Sequence, residues 1–206
     1  MREIKTQGFI LKRIPYQNEK TRLFSVMTRD FGKIVLGAPE VKRLQSCMKT
    51  VAPLNICEFE IYKSNCGHMK IKSAYLVHSL LNHANDNLQT LQKLYVLAEL
   101  IDAIIEEGEP NERLYGLLVN SAIITKETGS DLIFESFKTK LLGLSGSLPH
   151  LKNCHTCKEK CANDEIWISE ENLHLYCTNC KPMYSSDTYT KLTLDCLKLL
   201  CFISDG

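Results

Sequence analysis

Two short cysteine pairs constrain this chain more than any other feature of its sequence. Cys154 and Cys157 form one CxxC pair, Cys177 and Cys180 form a second, and nineteen residues separate the two pairs. Each pair offers two sulfurs from one tight turn, and two pairs at this spacing can close a tetrahedron around one metal ion. The sequence therefore predicts one structural zinc ion bound by four thiolates. Such a site can organise a segment too small to have a core of its own.

Three alternatives to this site remain open in the sequence. Cys161, His155 or His174 could replace one of the four cysteines as a ligand. A thioredoxin-like redox pair would need a single CxxC at the start of a helix inside a βαβ unit, which the flanking sequence does not indicate. A catalytic zinc site would need an open coordination position and a neighbouring general base, as in the deaminase pattern His-x-Glu with Pro-Cys-x-x-Cys. The chain contains neither feature, so the four-cysteine site is favoured.

The segment between the cysteine pairs favours a β-hairpin. Short alternating apolar runs at 166–169 and 173–176 are separated by the polar residues 170–172, and the second pair follows directly. We therefore expect a zinc-ribbon-like module at about 150–184. The other six cysteines are expected to be reduced thiols, because the first residues do not resemble an export signal. The apolar runs are also too short to cross a bilayer, so we expect a cytoplasmic protein.

Helical periodicity predicts an α-helical domain around this module, over residues 81–206. Apolar residues recur at spacings of three and four from Asn85, a candidate N-cap, to Ile105, and again over 111–129 and 130–143. A fourth helix is predicted over about 186–203, which would insert the module between the third and fourth helices. The leucine and isoleucine stripes are interpreted as core.

Residues 1–80 predict a β-barrel with a basic surface. Five short strands are expected at 8–12, 21–27, 32–36, 55–62 and 69–75. Fourteen lysines and arginines stand against six acidic residues here, a net charge of +8, whereas residues 81–206 carry 11 against 18, a net of −7. This favours an OB-type barrel that binds nucleic acid, with ordinary solvated faces as the alternative. The predicted fold class is thus α+β, a five-stranded OB-type barrel followed by a helical domain with an inserted zinc-ribbon-like module.

The predicted DNA-binding surface is a set of cations with two aromatic rings. A single lysine is usually a solubilising residue, so the prediction depends on the aggregate charge. The cations expected to contact phosphates are Lys12, Arg13, Lys20, Arg22, Arg29, Lys33, Lys42, Arg43 and Lys49, and the stacking candidates are Tyr16 and Phe31. No nucleophile elbow, phosphate-binding glycine loop or paired-carboxylate motif is evident, so no catalytic residue is predicted.

With its segments in this order, the chain resembles the bacterial RecO family of recombination mediators over essentially its whole length. In the barrel the resemblance rests on Gly8-Phe-Ile-Leu, Thr28-Arg-Asp-Phe-Gly-Lys and Pro53-Leu54. In the rear half it rests on Glu109-Pro110, Leu141-Leu-Gly and the four cysteines. The loop after Gly37 departs from the family pattern, because Glu40 lies where relatives tend to have a denser arginine and lysine run.

The resemblance implies a DNA repair protein that binds single- and double-stranded DNA and anneals complementary strands. It also implies work with RecR in loading the RecA recombinase onto DNA covered by single-strand-binding protein, and association with the nucleoid. Annealing needs no catalytic residue, since a basic surface concentrates two polyanions and leaves their base edges able to pair. A hydrophobic groove between helices could accept the tail of the single-strand-binding protein. The alternative is a non-enzymatic adaptor with a structural zinc site, whose barrel binds an acidic protein.

Overall fold

The structure, a computed structural model, describes residues 2–16, 21–39, 50–64, 67–81, 87–148, 151–161, 166–181 and 188–205. The chain forms two compact units, Met1–Phe137 and Lys138–Gly206. The first contains the barrel, the next two helices and the start of a third, and the second contains the cysteine pairs and the last helix. The domain boundary predicted after residue 80 stays a prediction. No helix in the described ranges is long and apolar enough to cross a membrane.

Five strands close the barrel in the order β1-β2-β3-β5-β4. They are β1 (Arg2–Ile14), β2 (Thr21–Thr28), β3 (Gly32–Pro39), β4 (Asn55–Lys63) and β5 (Met69–Ser79). Neighbours pair antiparallel, except that β3 and β5 pair parallel, and β1 pairs with both β2 and β4 to complete the circle. The predicted OB-type barrel and the α+β class are confirmed.

The barrel interior is filled by alternating apolar side chains from every strand. Fully buried members include Ile10 of β1, Val26 of β2, Leu36 of β3 and Phe59 of β4. Strand parity directs these side chains inward and their neighbours outward, which explains why charged and apolar residues alternate along the barrel sequence.

Four helices follow the barrel. They are α1 (Leu88–Ile104), α2 (Glu112–Thr128), α3 (Asp131–Leu144) and α4 (Leu194–Asp205). The side chain of Asn87 caps α1 by accepting from the Gln89 amide at 3.0 Å, and Asn111 caps α2 by accepting from the Leu114 amide at 2.9 Å. The predicted cap Asn85 lies outside the described residues, and the α1 cap is Asn87.

The second unit contains a three-stranded sheet in the order β7-β6-β8. Its strands are β6 (Ile166–Ser169), β7 (Leu175–Cys177) and β8 (Tyr189–Leu192). The predicted hairpin is confirmed, since β6 pairs antiparallel with β7 and the second cysteine pair begins at the end of β7. The predicted helix over 186–203 is wrong in its first part. Residues 189–192 pair with β6 as a strand instead, and α4 begins only at Leu194.

Candidate metal centre and nucleic-acid interface

The sulfurs of the two cysteine pairs meet at one point of the second unit. The Sγ atoms of Cys154, Cys157, Cys177 and Cys180 all lie within 4.8 Å of one another. Those of Cys157 and Cys177 are 3.9 Å apart. A tetrahedral zinc site with bonds of about 2.3 Å separates its sulfurs by about 3.8 Å. The donor set and spacing fit one tetrahedral, thiophilic metal ion.

Backbone hydrogen bonds form the two turns that present these sulfurs. The Lys158 amide donates to the Cys154 carbonyl at 3.1 Å, and the Cys180 amide donates to the Cys177 carbonyl at 3.0 Å. The Cys177 amide also donates to Cys154 Sγ at 3.5 Å, which connects the turns. Burial acts to raise the pKa of Cys154, but backbone N–H donors outweigh it and lower this pKa to about 6. Cys154 is therefore held as the thiolate that a metal ion requires.

The geometry of the second unit favours the four cysteines over their alternative ligands. Cys161 is buried in the apolar core of the second unit, where burial raises its pKa to about 11. His155 and His174 stack on each other with ring centroids 3.8 Å apart, outside the cluster. Within the described residues, the four cysteines form the one group of three or more potential ligands.

A cleft of about 730 Å³ opens on the barrel surface. It is lined by residues of β2, β3 and β5, by the loops that follow β1 and β4, and by Glu107 and Gly108 after α1. Tyr16 lies in the first loop, His68 in the second, and Lys33 and Lys70 lie on β3 and β5. OB-fold proteins bind oligonucleotides at the face of strands 2 and 3 and at these same two loops.

Residues of α1 and α2 hold three of the predicted DNA-binding cations, two through acidic side chains and one through a backbone carbonyl. The Lys12 ammonium lies 2.5 Å from the Asp102 carboxylate, and the Lys33 ammonium donates to the Asp102 carbonyl at 2.6 Å. Arg29 Nε donates to Glu112 Oε1 at 2.9 Å, and a second guanidinium nitrogen contacts the same oxygen. These cations are therefore engaged within the first unit.

The remaining predicted residues lie in varied positions. Arg13 is exposed on β1, Arg22 is half-buried on β2, and the Tyr16 side chain is 57% exposed. Phe31 is partly buried and packs against the barrel core. The set as a whole stays a prediction. Lys20, Lys42, Arg43 and Lys49 lie outside the described residues.

Sequence reasoning missed two contributors to the cleft and both acidic partners. His68 and Lys70 line the cleft, and the position of the loop between β4 and β5 could have indicated them. Asp102 and Glu112 gave no such signal, because they lie more than 65 residues from the cations that they contact.

Comparisons with known proteins cover both halves of the chain. Residues 1–80 match the family model described as recombination protein O N terminal, and residues 85–202 match recombination protein O C terminal. The DNA repair protein RecO of Alkaliphilus metalliredigens is 29% identical over 185 residues, 86% of this chain and 72% of that protein. The RecO of Caldicellulosiruptor bescii is 30% identical over 184 residues, 88% of this chain and 73% of the relative. The RecO of Bacillus pumilus is 27% identical over 187 residues, which are 90% of this chain and 70% of that protein.

The chain belongs to the RecO family, as the sequence motifs indicated, because both family models match and together span most of its length. This membership supports a role in DNA repair.

Proposed function

We propose that this RecO family member is a non-enzymatic recombination mediator that binds single- and double-stranded DNA and anneals complementary strands. The observation that carries the proposal is the barrel cleft, which combines the ligand position of an OB fold with an exposed tyrosine and the exposed Lys70. Tyr16 offers a ring on which a base can stack, while the exposed Lys70 offers charge to the phosphates.

Annealing follows from phosphate binding alone. A surface that neutralises the backbones of two strands lowers their mutual repulsion and leaves their base edges exposed for pairing. Contacts of this kind read no sequence, which suits a protein acting at any broken or gapped DNA. The protein needs no reacting side chain for this task.

We assign one structural zinc ion to the four-cysteine cluster. When bound, the ion supplies a fixed tetrahedral crosslink between the two turns, without an open position for chemistry. Leu151, Ile166 and Leu197 form the adjacent core, which is small. Metal binding therefore contributes to the folding of the second unit.

The proposed partners are RecR, single-strand-binding protein and, indirectly, RecA. An apolar cleft of about 480 Å³ in the second unit supports contact with the tail of single-strand-binding protein. Leu194 and Leu197 of α4 line it, and Lys152, Lys160 and Lys198 lie around it. An apolar segment flanked by acidic residues fits such a cleft.

The decisive experiment is fluorescence anisotropy of a labelled single-stranded oligonucleotide, titrated with the full chain at several salt concentrations. We expect Tyr16→Ala and Lys70→Gln to weaken binding, and Lys70→Gln to reduce the slope of log K against log salt by about 0.7, one phosphate contact. Lys5→Gln is the matched control, because Lys5 is an exposed barrel cation (71%) that does not line the cleft.

The same titration separates DNA binding from the adaptor alternative. Equal losses in Lys5→Gln and Lys70→Gln would show that the cleft is not the interface. No binding at low salt would exclude the DNA-binding proposal and favour an adaptor with an acidic protein partner. A complementary-strand annealing assay on the same sample then tests the second half of the proposal.

A further inference from the structure

The sheet of the second unit has one buried face and one outer face of a different character. Ile166, Ile168 and Leu175 point into the core of this unit. Side chains alternate along a strand, so their neighbours lie on the opposite face. Trp167 pairs directly with Tyr176 of β7 and with Lys191 of β8. These three side chains therefore form a row across the outer face.

Aromatic rings extend this row on the same face. Tyr189 pairs with Ser169, two residues after Trp167, and therefore shares its face. The rings of Tyr176 and Tyr189 meet edge to face with centroids 5.6 Å apart, and His155 contacts Tyr176 at 5.9 Å. Trp167 and Tyr189 remain partly accessible, whereas Tyr176 between them and His155 is buried. The outer face is thus a small aromatic platform, defined here by Trp167, Tyr176 and Tyr189.

Two lysines accompany this platform. The Lys181 ammonium lies 3.4 Å from the centroid of the Trp167 ring and 5.7 Å from that of Tyr189. The Lys191 ammonium lies 6.0 Å from the Trp167 centroid. Within the described part of the chain, Lys181 has no carboxylate partner, and its recorded contacts are with the two rings. Among the residues that the structure describes, its ammonium faces the weak negative potential of the two aromatic rings.

We propose that this aromatic platform, with Lys181 and Lys191, is a second binding surface for single-stranded DNA, separate from the barrel. A ligand for this face must combine flat rings with negative charge, and single-stranded DNA does so at every nucleotide. A base stacks on the accessible tryptophan ring while Lys181 moves from the ring to a phosphate. Stacking of a base is the stronger contact, because an exposed cation–π pair is weak. Duplex DNA does not fit, since its bases are already stacked and paired.

This second surface depends on the proposed function only in that its ligand is DNA. The residues that form it are different from those of the barrel cleft. The alternative is a purely structural role, in which Lys181 packs over Trp167 and stabilises the turn after Cys180. In that turn the Lys181 amide donates to the Cys177 carbonyl at 3.1 Å. The two interpretations differ in whether DNA changes the surroundings of the ring.

The chain contains a single tryptophan, so its fluorescence reports on this face alone. We would titrate the full metal-loaded chain with unlabelled oligo(dT), and in parallel with a duplex of the same length. We expect saturable quenching of Trp167 by oligo(dT) and little quenching by the duplex. Lys181→Gln should weaken the quenching titration by roughly threefold to fivefold at about 0.1 M salt, the effect of one lost phosphate contact.

Lys140→Gln is the matched control, because Lys140 is a lysine of the same unit that lies on α3 and lines neither the aromatic platform nor either cleft. Anisotropy of labelled oligo(dT) is measured on the same samples. Binding by anisotropy without tryptophan quenching would overturn this second surface and leave the barrel proposal standing. Equal weakening by Lys181→Gln and Lys140→Gln would overturn it as well. Absence of binding in both measurements would reject the DNA-binding function itself.

Discussion

The Lys12 ammonium of β1 lies 2.5 Å from the Asp102 carboxylate of α1. The same carboxylate accepts a hydrogen bond of 2.6 Å from Ser25 on β2. Lys12, which the charge of the barrel predicts to contact DNA, is therefore already paired with an acidic side chain of α1. A phosphate that contacts Lys12 has to compete with this carboxylate. The acidic side chains of the helices and the phosphates of DNA would therefore compete for the same barrel cations.

This competition predicts that removing an acidic partner strengthens DNA binding. Glu112→Gln releases Arg29, which is 56% exposed. We expect a gain in affinity for single-stranded DNA of about fivefold at about 0.1 M salt, with a slope in log salt steeper by about 0.7. The measurement is the anisotropy titration described above.

The control for Glu112→Gln is Glu99→Gln, which removes the same charge from an exposed position on α1. Equal gains in the two variants would mean that net charge, rather than release of Arg29, determines the affinity.

The Asp102 contacts predict a dependence of stability on pH. Burial acts to raise the pKa of Asp102, but hydrogen bonds from Lys12 and Ser25 outweigh it, so the folded-state pKa lies below the ordinary value. Its stabilisation is therefore present above the unfolded-state pKa of about 3.9 and lost as the pH falls through the folded value. We expect Asp102→Asn to lower the free energy of unfolding at pH 7 by about 1 kcal/mol.

Urea unfolding of the wild type and Asp102→Asn from pH 7 to pH 3 checks this sign. The difference between the two proteins should shrink as the pH approaches 3. A difference that stays constant or grows toward low pH would contradict the assigned direction.

Loss of one cluster cysteine should remove the metal and unfold the second unit. We expect one zinc ion per chain by elemental analysis, and a large loss in Cys180→Ser, because a structural zinc site contributes about 10–16 kcal/mol in apparent binding terms. The fluorescence emission maximum of Trp167 should shift to longer wavelength, because unfolding exposes its ring to water. Cys196→Ser is the control, since Cys196 is exposed and outside the cluster. Unchanged zinc content in Cys180→Ser would exclude the proposed ligand set.

Two glycines with similar backbone angles should differ sharply in their tolerance of alanine. Gly32 has φ +68° and Gly67 has φ +84°, so both substitutions introduce backbone strain of about 1–2 kcal/mol. A Cβ on Gly32 would also lie 2.1 Å from the carbonyl oxygen of Glu109, whereas one on Gly67 would meet nothing within 4 Å.

We therefore expect Gly32→Ala to lower the free energy of unfolding by about 2 kcal/mol or more beyond Gly67→Ala. Urea unfolding of the two variants measures the difference. Equal losses of unfolding free energy in the two variants would show that the backbone around Glu109 moves aside without a loss of stability.

The barrel and the cysteine cluster were largely predictable because their signals are local. Strand alternation and turn residues indicated all five barrel strands, and a CxxC turn presents its two sulfurs through backbone bonds within a few residues. The ends of β1 were not predictable. Residues 2–7 are mostly polar, and they become a strand by pairing with β4, more than fifty residues away.

The β8 strand shows the same limit in the second unit. Residues 189–192 fit the apolar spacing of the following helix, and only their pairing with β6 makes them a strand. Pairing satisfies backbone N–H and C=O groups, which outweighs a weak local preference.

The sequence by itself determined the α+β class, the barrel strands and the four cysteines of the candidate metal site, because each depends on near neighbours along the chain. The tertiary structure alone decided that Asp102 and Glu112 hold the cations of β1, β3 and the turn after β2, and that Trp167 lies beneath Lys181. Such contacts join residues far apart in the chain. The packing of whole helices and strands sets the distances between these residues. A short stretch of sequence does not predict that packing.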